Sequence, residues 1–439
     1  MFASFRPIFS LLRGTAFLLA GSGLHGLLLP LRGQEEGFST TSLGLLGTAW
    51  AAGFIAGCWF APRLVRKVGH VRSFGAFTAA AAIIALLSGL LIDPLFWIVL
   101  RAATGFMMAG AFMVIESWLN EKSTNENRGT VFGLYMMVTY AAITAGQLAV
   151  GFGDVSTQSL FMVAGILFCF SLIPTAISSA ATPQPLAEVS LDLKGLYTTS
   201  PVAFAGCILI GMANGAWGTL GPVYGAEIGI TTAQIAVMMS LVVVTGAALQ
   251  LPIGRVSDRT DRRHVVIGAS AIPAVIGLAI FMIAPRSATI ILVLTAAYGA
   301  LAYTLYSLVV AHANDHASAE DFVKISGGLL LLYGFGTMVG PMLAAALMER
   351  MRPESIFLAT AIAHLGLAGY TLYRISQRAA VPEEAKEAFK TMPSERAATP
   401  QATLLDPRAD IVDTEDGVDP MEAVDVADPS APQEDTTMS

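Results

Sequence analysis

The chain has 439 residues, of which 54% are hydrophobic and only 13% are charged. A soluble domain carries roughly 25% charged residues, so this composition excludes an ordinary water-soluble protein and indicates that most of the surface faces lipid. The net charge of −7 belongs to the C-terminal region, because 5 of the 25 basic and 15 of the 32 acidic residues follow Gln377. The part before it holds 20 basic and 17 acidic residues, a net charge of +3.

Twelve apolar segments of about twenty residues follow one another along the chain, a length that matches a bilayer core about 30 Å thick. We predict helices, because an unpaired backbone group in hydrocarbon costs several kcal/mol. The predicted spans are Ile8–Pro30, Thr40–Ala61, Ser73–Ile92, Leu95–Leu119, Thr130–Phe152, Ser159–Ala180, Val202–Val223, Thr232–Ile253, Val265–Ala284, Ala288–His312, Val323–Met348 and Ser355–Ser376. The predicted fold class is an all-α membrane protein of twelve transmembrane helices.

The first six spans resemble the last six at an offset of about 193 residues. Gly105 in the fourth span corresponds to Gly299 in the tenth. Gly146 in the fifth span corresponds to Gly340 in the eleventh. A repeat of this kind predicts two pseudo-symmetric six-helix bundles with a binding site between them. The predicted domains are an N-terminal bundle 1–180, a cytoplasmic linker 181–201, a C-terminal bundle 202–376 and an acidic cytoplasmic tail 377–439, whose composition predicts disorder.

The basic residues predict the orientation, because cytoplasmic loops carry an excess of Lys and Arg. Sixteen of them lie on one side of the membrane and four on the other. The basic side carries Arg6, Arg13, Arg63, Arg66, Lys67, Arg72, Lys122, Arg128, Lys194, Arg255, Arg259, Arg262, Arg263, Lys324, Arg374 and Arg378, and the opposite side carries Arg32, Arg286, Arg350 and Arg352. The basic side and both termini are therefore predicted to be cytoplasmic.

The string between the eighth and ninth spans is the most specific motif of the chain. It runs from Gly254 to Arg263 and reads GRVSDRTDRR. A glycine lets two helices approach closely, and Asp258 can accept hydrogen bonds from a helix N-terminus. Three arginines of the string, Arg259, Arg262 and Arg263, can pair with carboxylates or lipid phosphates. The string resembles the signature loop of the major facilitator superfamily.

This resemblance covers roughly residues 8–376. It implies the fold of two six-helix bundles, and it implies that Asp258 latches the cytoplasmic side shut in the outward-facing state. Simple positive charge on the cytoplasmic side is the alternative, but it does not account for the aspartate or for the spacing.

The corresponding loop of the first half, Ala61–His70, departs from the pattern. Pro62 stands in place of the glycine and Arg66 in place of the aspartate, while only Lys67 and Gly69 keep the pattern. An equivalent latch in this half is therefore not indicated. A pair between Glu116, at the basic end of the fourth span, and Arg66 or Lys67 is a candidate substitute.

The region of the fourth and fifth spans narrows the resemblance to the YcaD-like branch of bacterial transporters. The stretches that carry it are Val114–Leu119, Asn127–Gly129, Leu134–Val138 and Gly146–Gln147. This branch implies a multi-pass protein of the bacterial cytoplasmic (inner) membrane. Antiporters of the superfamily carry a Gly-Pro motif in the fifth span, and here Gln147 stands at the position of the proline.

Arg101 is unusual because it lies about six residues inside the fourth span, roughly 9 Å from its outer boundary. A guanidinium at that depth costs roughly 2.5–3.5 kcal/mol, so it must face the protein interior or water. The stretch Arg101–Gly105 resembles the Arg-x-x-x-Gly motif of proton-coupled members, in which the arginine is thought to help proton coupling. Snorkelling to the interface, proton coupling and binding of an anionic substrate are the alternatives.

Polar and aromatic residues inside the spans are candidates for the walls of a central cavity. Asn214 and Trp217 share one face of the seventh span because they are three residues apart. A hydrogen bond to a neighbouring helix is the alternative role for each candidate. The predicted substrate or coupling residues are Arg101, Glu116, Gln147, Asn214, Trp217, Gln250, Tyr298, Tyr303 and Tyr333, and the predicted gating residues are Gly254, Asp258, Arg259, Arg262, Arg263, Arg66 and Lys67.

We predict a secondary active transporter that moves a small organic solute by rocker-switch alternating access, with proton coupling. The alternatives are a facilitated-diffusion uniporter and a non-transporting receptor or scaffold that signals through the acidic tail. The chain has no P-loop string and no catalytic triad pattern, so we expect neither ATP-driven transport nor an enzyme. No cluster of His and Cys predicts a metal site. The expected partners are a small-molecule substrate, protons and the lipid bilayer, with no cofactor, no nucleic acid and a monomeric state.

Overall fold

The computed structural model describes residues 6–124, 126–176, 192–317, 322–379, 381–382, 386, 389–390 and 399–405, and these ranges contain helices and no strand. The helices of the first half are α1 Arg6–Glu35, α2 Thr40–Val68, α3 His70–Leu90, α4 Pro94–Glu121, α5 Arg128–Val150 and α6 Ser159–Ala176. Those that follow are α7 Leu193–Thr199, α8 Pro201–Glu227, α9 Thr232–Arg259, α10 Arg262–Ile283, α11 Ala288–Ala302, α12 Leu305–Asn314, α13 Phe322–Arg350 and α14 Ser355–Ile375. A short 3-10 helix, Pro400–Leu405, lies beyond α14.

The membrane-spanning helices match the predicted spans. In the described part of the chain, eleven helices are long and apolar enough to cross a bilayer, with α11 and α12 together forming one span, Ala288–Asn314. The apolar stretch of α6, Ser159–Pro174, is shorter and occupies the place of the sixth span. The predicted class of an all-α protein with twelve transmembrane helices is therefore confirmed.

Capping residues set the starts of several helices on the side opposite to the basic side. Asp93 accepts a hydrogen bond from the backbone N–H of Phe96, 2.8 Å away, just before Pro94 opens α4. Thr231 and Gln234 form a reciprocal capping box at the start of α9. Such caps satisfy the orphan donors of a first helical turn, so these ends are defined by local sequence.

The tenth span is divided into two helices, which its apolar pattern does not indicate. Helix α11 ends at Ala302 and α12 begins at Leu305. The hydroxyl of Thr304 donates to the backbone oxygen of Leu301 at 2.7 Å, and the backbone N–H of Tyr303 bonds to the oxygen of Gly299 at 3.1 Å. A side chain that inserts into the backbone ladder interrupts a helix in this way.

The two halves pack their helices in the same pattern. In the first half α1 contacts α5 and α6, α2 contacts α4, and α3 contacts α6. In the second half α8 contacts α13 and α14, α9 contacts α11, and α10 contacts α14. The halves meet where α1 faces α8, α2 faces α13 and α5 faces α9.

The glycines singled out in the repeat lie at equivalent close approaches. A Cβ atom on Gly146 would lie 2.1 Å from the backbone oxygen of Ala20, so α5 could not approach α1 this closely with any larger residue. A Cβ atom on Gly340 would lie 2.0 Å from the backbone oxygen of Met212, between α13 and α8. Small residues at such contacts bring membrane helices together.

The predicted linker and tail are described only in part. Residues 181–191 of the linker lie outside the described ranges, and its remaining part contains the short helix α7. Most of the predicted tail, 377–439, also lies outside them, so its predicted disorder stays a prediction there. The described part includes Thr399, Gln401 and Ala402, which are buried against the helices.

Candidate functional site

A cavity lies between the two halves, and its lining residues are nearer to the helix ends opposite the basic side. Its walls come from α1, α2, α4 and α5 of the first half and from α8 and α9 of the second. The space between atoms is about 520 Å³, a volume that includes space open to solvent. The lining residues are Ser22, Gly23, Gly26, Leu27, Trp50, Arg101, Ile143, Gln147, Gly218, Pro222 and Met239. This is the position that the internal repeat predicts for a binding site.

Two of the predicted site residues line this cavity. Arg101 lies seven residues after Pro94, about 10 Å along α4, and its side chain is partly buried. It is the charged residue among the described lining residues, which include no carboxylate. Gln147 reaches the cavity from α5, and the hydroxyl of Ser240 on α9 lies 3.5 Å from its Oε1. The polar side chains of the lining are therefore those of Arg101, Gln147 and Ser22, and the other lining residues are apolar or glycine.

Three other predicted residues form polar pairs at helix contacts and do not line the cavity. The Nδ2 of Asn214 donates to the hydroxyl of Tyr333 at 2.9 Å, which joins α8 to α13 inside the second half. The Nε2 of Gln250 donates to the hydroxyl of Tyr140 at 3.1 Å, which joins α9 to α5 across the two halves. Each of these residues bonds to a neighbouring helix, which is the alternative to lining the cavity that the sequence left open.

The predicted aromatic residues pack within the second half. The rings of Trp217 and Tyr298 lie 5.8 Å apart, and both contact Phe357 on α14. The hydroxyl of Tyr298 lies 3.2 Å from the Nε2 of His364. Tyr303 packs over Gly246, at the contact between α11 and α9. These side chains support the packing of α8, α11 and α14, and the structure does not bring them into the cavity.

The sequence analysis did not predict several of the residues that line the cavity. Ser22, Gly23 and Gly26 form a small-residue face of α1, and their spacing of one turn was an available signal. The ring of Trp50 lines the cavity and stacks on Phe54 with centroids 5.1 Å apart. A tryptophan in the middle of a span is unremarkable in the sequence, because it packs equally well against another helix.

The signature string forms a compact ion-pair network at the basic side. Arg262 is 1% exposed and reaches Asp315 at 2.9 Å, Asp258 at 3.1 Å and the hydroxyl of Ser257 at 2.9 Å. Arg263 pairs with Asp261 at 2.8 Å. The string therefore connects α9, α10 and the end of α12.

The remaining gating candidates lie at the surface of the basic side. Arg259, Arg66 and Lys67 are exposed. Glu116, by contrast, is fully buried in α4. Its carboxylate accepts hydrogen bonds at 3.0 Å from the hydroxyl of Tyr135 and from the backbone N–H of Thr399. Its described partners are thus a residue of α5 and residues of the C-terminal region, and a pair with Arg66 or Lys67 stays a prediction.

Asp258 also contacts the C-terminal region. The backbone N–H of Phe389 lies 3.1 Å from each of its carboxylate oxygens. The Phe389 ring lies against Gly254, where a Cβ atom would be 2.0 Å from ring atom Cδ1. Asp258, which the sequence places near a helix N-terminus, therefore binds a backbone N–H of the C-terminal region.

Comparison with known proteins identifies relatives along most of the chain. A profile of the Major Facilitator Superfamily matches residues 11–227 and 202–408. An "Uncharacterized MFS-type transporter YcaD" from Escherichia coli O45:K1 (strain S88 / ExPEC) is 27% identical over 359 residues, which covers 80% of this chain and 92% of the relative. The protein of the same description from Shigella flexneri serotype 5b (strain 8401) matches to the same extent.

Solved structures share the fold at low sequence identity. The crystal structure of the nucleoside transporter NupG matches with a TM-score of 0.72 at 15% identity and covers 86% of this chain and 100% of that chain. An inward-facing, occupied bacterial homologue of the human lysosomal transporter Spinster matches with a TM-score of 0.66 at 12% identity, over 87% and 97% of the two chains. The predicted resemblance is confirmed, and this multi-pass membrane protein belongs to the Major Facilitator Superfamily of transporters.

Proposed function

We propose that the protein is a secondary transporter that moves a small organic anion across the bacterial cytoplasmic membrane by rocker-switch alternating access. The observation that carries the proposal is the cavity between the two halves with Arg101 in its wall. A site whose walls come from both bundles changes its exposure when the bundles rock against each other. A scaffold has no need for a site whose exposure changes in this way.

The charge of the cavity supports an anionic substrate. A guanidinium at membrane depth is expensive, and its planar fork matches the two oxygens of a carboxylate or phosphate. The described lining includes no acidic residue that would favour a cation. An anion that enters next to Arg101 gains a charge-assisted interaction in a low-dielectric chamber, where such interactions are stronger than in water.

The remaining walls support an organic substrate over an inorganic ion. Leu27, Trp50, Ile143 and Met239 present apolar surface to the cavity, and burial of apolar surface favours association. Gln147 adds an amide that can donate and accept hydrogen bonds. The solved structures that share the fold are other transporters at low sequence identity, so the chemistry of this cavity carries the substrate class.

The orientation and the coupling follow from the charges. We propose that the basic side and both termini are cytoplasmic, in accordance with the positive-inside rule. Proton coupling stays a prediction, with Glu116 as the carboxylate that would carry the proton. Because Glu116 lies at the basic end of α4 and not in the described lining, it would act in the gate. Facilitated diffusion is the alternative.

A thermal-shift screen of the purified full-length protein tests the proposal. The panel contains matched organic carboxylates, organic phosphates, amines and neutral analogues. We expect stabilisation that rises with ligand concentration and is confined to anions, followed by uptake of the active compounds into proteoliposomes. Stabilisation by amines or neutral compounds alone would contradict the proposed substrate class, and anion binding without any flux would contradict transport.

A further inference from the structure

A segment beyond α14 is built into the basic side of the molecule. We call the described residues 386, 389–390 and 399–405 the docking segment. Thr399, Gln401 and Ala402 are 0%, 3% and 2% exposed, although Thr399 and Gln401 are polar and the sequence after Gln377 as a whole is acidic. Burial of such a segment requires specific partners for its polar groups, and the structure provides them from both halves.

The first set of contacts is with α4. The backbone N–H of Thr399 lies 3.0 and 3.2 Å from the two oxygens of Glu116, and the Thr399 hydroxyl donates to the same carboxylate. The hydroxyl of Tyr135 on α5 donates to this carboxylate at 3.0 Å. Two donors of the docking segment thus help to satisfy a fully buried acidic side chain. Departure of the segment would leave Glu116 to be hydrated from the cytoplasm.

The second set of contacts is with the signature string of the second half. The backbone N–H of Phe389 bonds to Asp258, and its ring covers Gly254. The ammonium group of Lys386 donates to the backbone oxygen of Thr260. Asp258 is the residue that the superfamily resemblance assigns to the latch, so the docking segment occupies the latch residue directly.

The 3-10 helix of the docking segment lies between the halves. Pro400–Leu405 contacts α4 and α5 of the first half and α13 of the second. On α13, Gly334 faces Ile55 of α2, and Leu330 and Ser326 follow on the same helical face, one and two turns closer to the basic side. Both are buried, at 5% and 0% exposure.

At the membrane side opposite the basic side, hydrogen bonds join the two halves directly. Glu349 at the end of α13 accepts hydrogen bonds from the backbone N–H and the hydroxyl of Thr41 on α2, at 2.7 and 2.8 Å. The hydroxyl of Thr40 lies 3.5 Å from Glu227 at the end of α8. Hydrogen bonds therefore join the two halves at this side, and the docking segment bridges them at the basic side.

We infer that the basic ends of α4, α5, α9 and α13 form a binding surface for the chain's own docking segment, and that the docked segment closes the path between the cavity and the cytoplasm. The inference rests on the proposed transport function, because release of the segment would then be a step that precedes each transport cycle. The occupant is this segment of the same chain, because Thr399 bonds to Glu116 of the first half while Phe389 bonds to Asp258 of the second.

Cysteine labelling tests this inference in the full-length chain. Cys58, Cys169 and Cys207 are first replaced by alanine, and Ser326→Cys is introduced as the reporter. In inside-out vesicles a membrane-impermeant maleimide should react slowly with the reporter. Thr399→Glu, which sets a second carboxylate against Glu116, should raise the rate by about tenfold or more, because local opening then dominates access. Glu116→Gln replaces one of the two acceptor oxygens of this contact with a donor, so it weakens the contact from α4 and should act in the same direction.

Ser376→Glu is the matched control, because it adds the same charge on the same side at an exposed residue that does not touch the docking segment. A Thr399→Glu rate within about twofold of its parent would overturn the inference.

Hydrogen exchange of the unmodified chain is an independent test. The backbone N–H of Thr399 donates to Glu116, that of Gln401 donates to the Thr399 hydroxyl oxygen, and that of Ala402 donates to the Thr399 carbonyl oxygen. Exchange of these amides at the rate of an unprotected peptide would also overturn it.

Neither arm requires a transported solute. A negative result therefore removes the docking inference and leaves the proposed transport function to the ligand screen. Conversely, a screen without active anions would not alter the labelling rates.

Discussion

Arg101→Ala should remove the stabilisation of the purified protein by organic anions. The guanidinium is the charged group among the described residues that line the cavity, and hydrogen bonds to charged groups contribute about 1.5–3 kcal/mol. The expected loss of affinity is therefore about 10- to 100-fold. Arg101→Lys should fall in between, because lysine keeps the charge but not the planar fork. Isothermal calorimetry or thermal-shift titration measures both variants with the anions found active for the parent protein.

Arg350→Ala is the matched control for this prediction. It removes one positive charge at the membrane side opposite the basic side. Arg350 is exposed and does not line the cavity. We expect anion affinity to remain within about twofold of the parent, because exposed charges are screened by solvent and salt. Equal losses in both variants would show a general effect of surface potential, and unchanged binding in Arg101→Ala would contradict the anion site.

Arg262→Gln should destabilise the protein by about 3–5 kcal/mol, the range for loss of one partner of a buried ion pair. Arg262 and Asp315 are both 1% exposed and 2.9 Å apart, so the substitution leaves the Asp315 carboxylate buried without its guanidinium. Asp258, at 31% exposure, loses the same partner but retains access to water. Thermal unfolding in detergent measures the effect as a lower midpoint.

The double variant Arg262→Gln/Asp315→Asn separates loss of the pair from loss of one charge. Removal of both charges should recover a large part of the lost stability, because the uncompensated carboxylate is then gone. Arg259→Gln, at an exposed neighbour, should change stability by less than about 1 kcal/mol. A similar small change for Arg262→Gln would show that the network does not hold α9, α10 and α12 together.

The architecture was predictable because hydrocarbon imposes strong constraints on a sequence. The apolar runs have the length that a helix needs to cross a bilayer. Backbone groups in hydrocarbon must pair within the segment, so each run forms a helix. The glycine pair Gly146 and Gly340 was also recognisable, since only small residues permit the approach that each makes to a neighbouring helix. The break between α11 and α12 was not, because it depends on where the Thr304 hydroxyl finds an acceptor.

The candidate site was predictable only in part. Arg101 was identified from its charge, because few positions at membrane depth tolerate one. Trp217 and Tyr298 were assigned to the cavity, although they pack on Phe357 within the second half. A hydrophobic period shows that a face is covered but does not show which neighbour covers it. Contacts of Thr399 with Glu116 join residues 283 positions apart, and no local pattern reports them.

The central claim is that the cavity between the halves opens to each side of the membrane in turn. Ser22→Cys, placed in the cavity wall on a background without Cys58, Cys169 and Cys207, is treated with an impermeant maleimide in right-side-out and inside-out vesicles. Ser287→Cys and Ser376→Cys, at exposed positions of the two sides, report vesicle orientation. We predict that Ser22→Cys reacts from both sides and that an active anion slows both reactions. Reaction from neither side while the surface cysteines react, or from one side only even when Thr399→Glu releases the docking segment, would contradict alternating access.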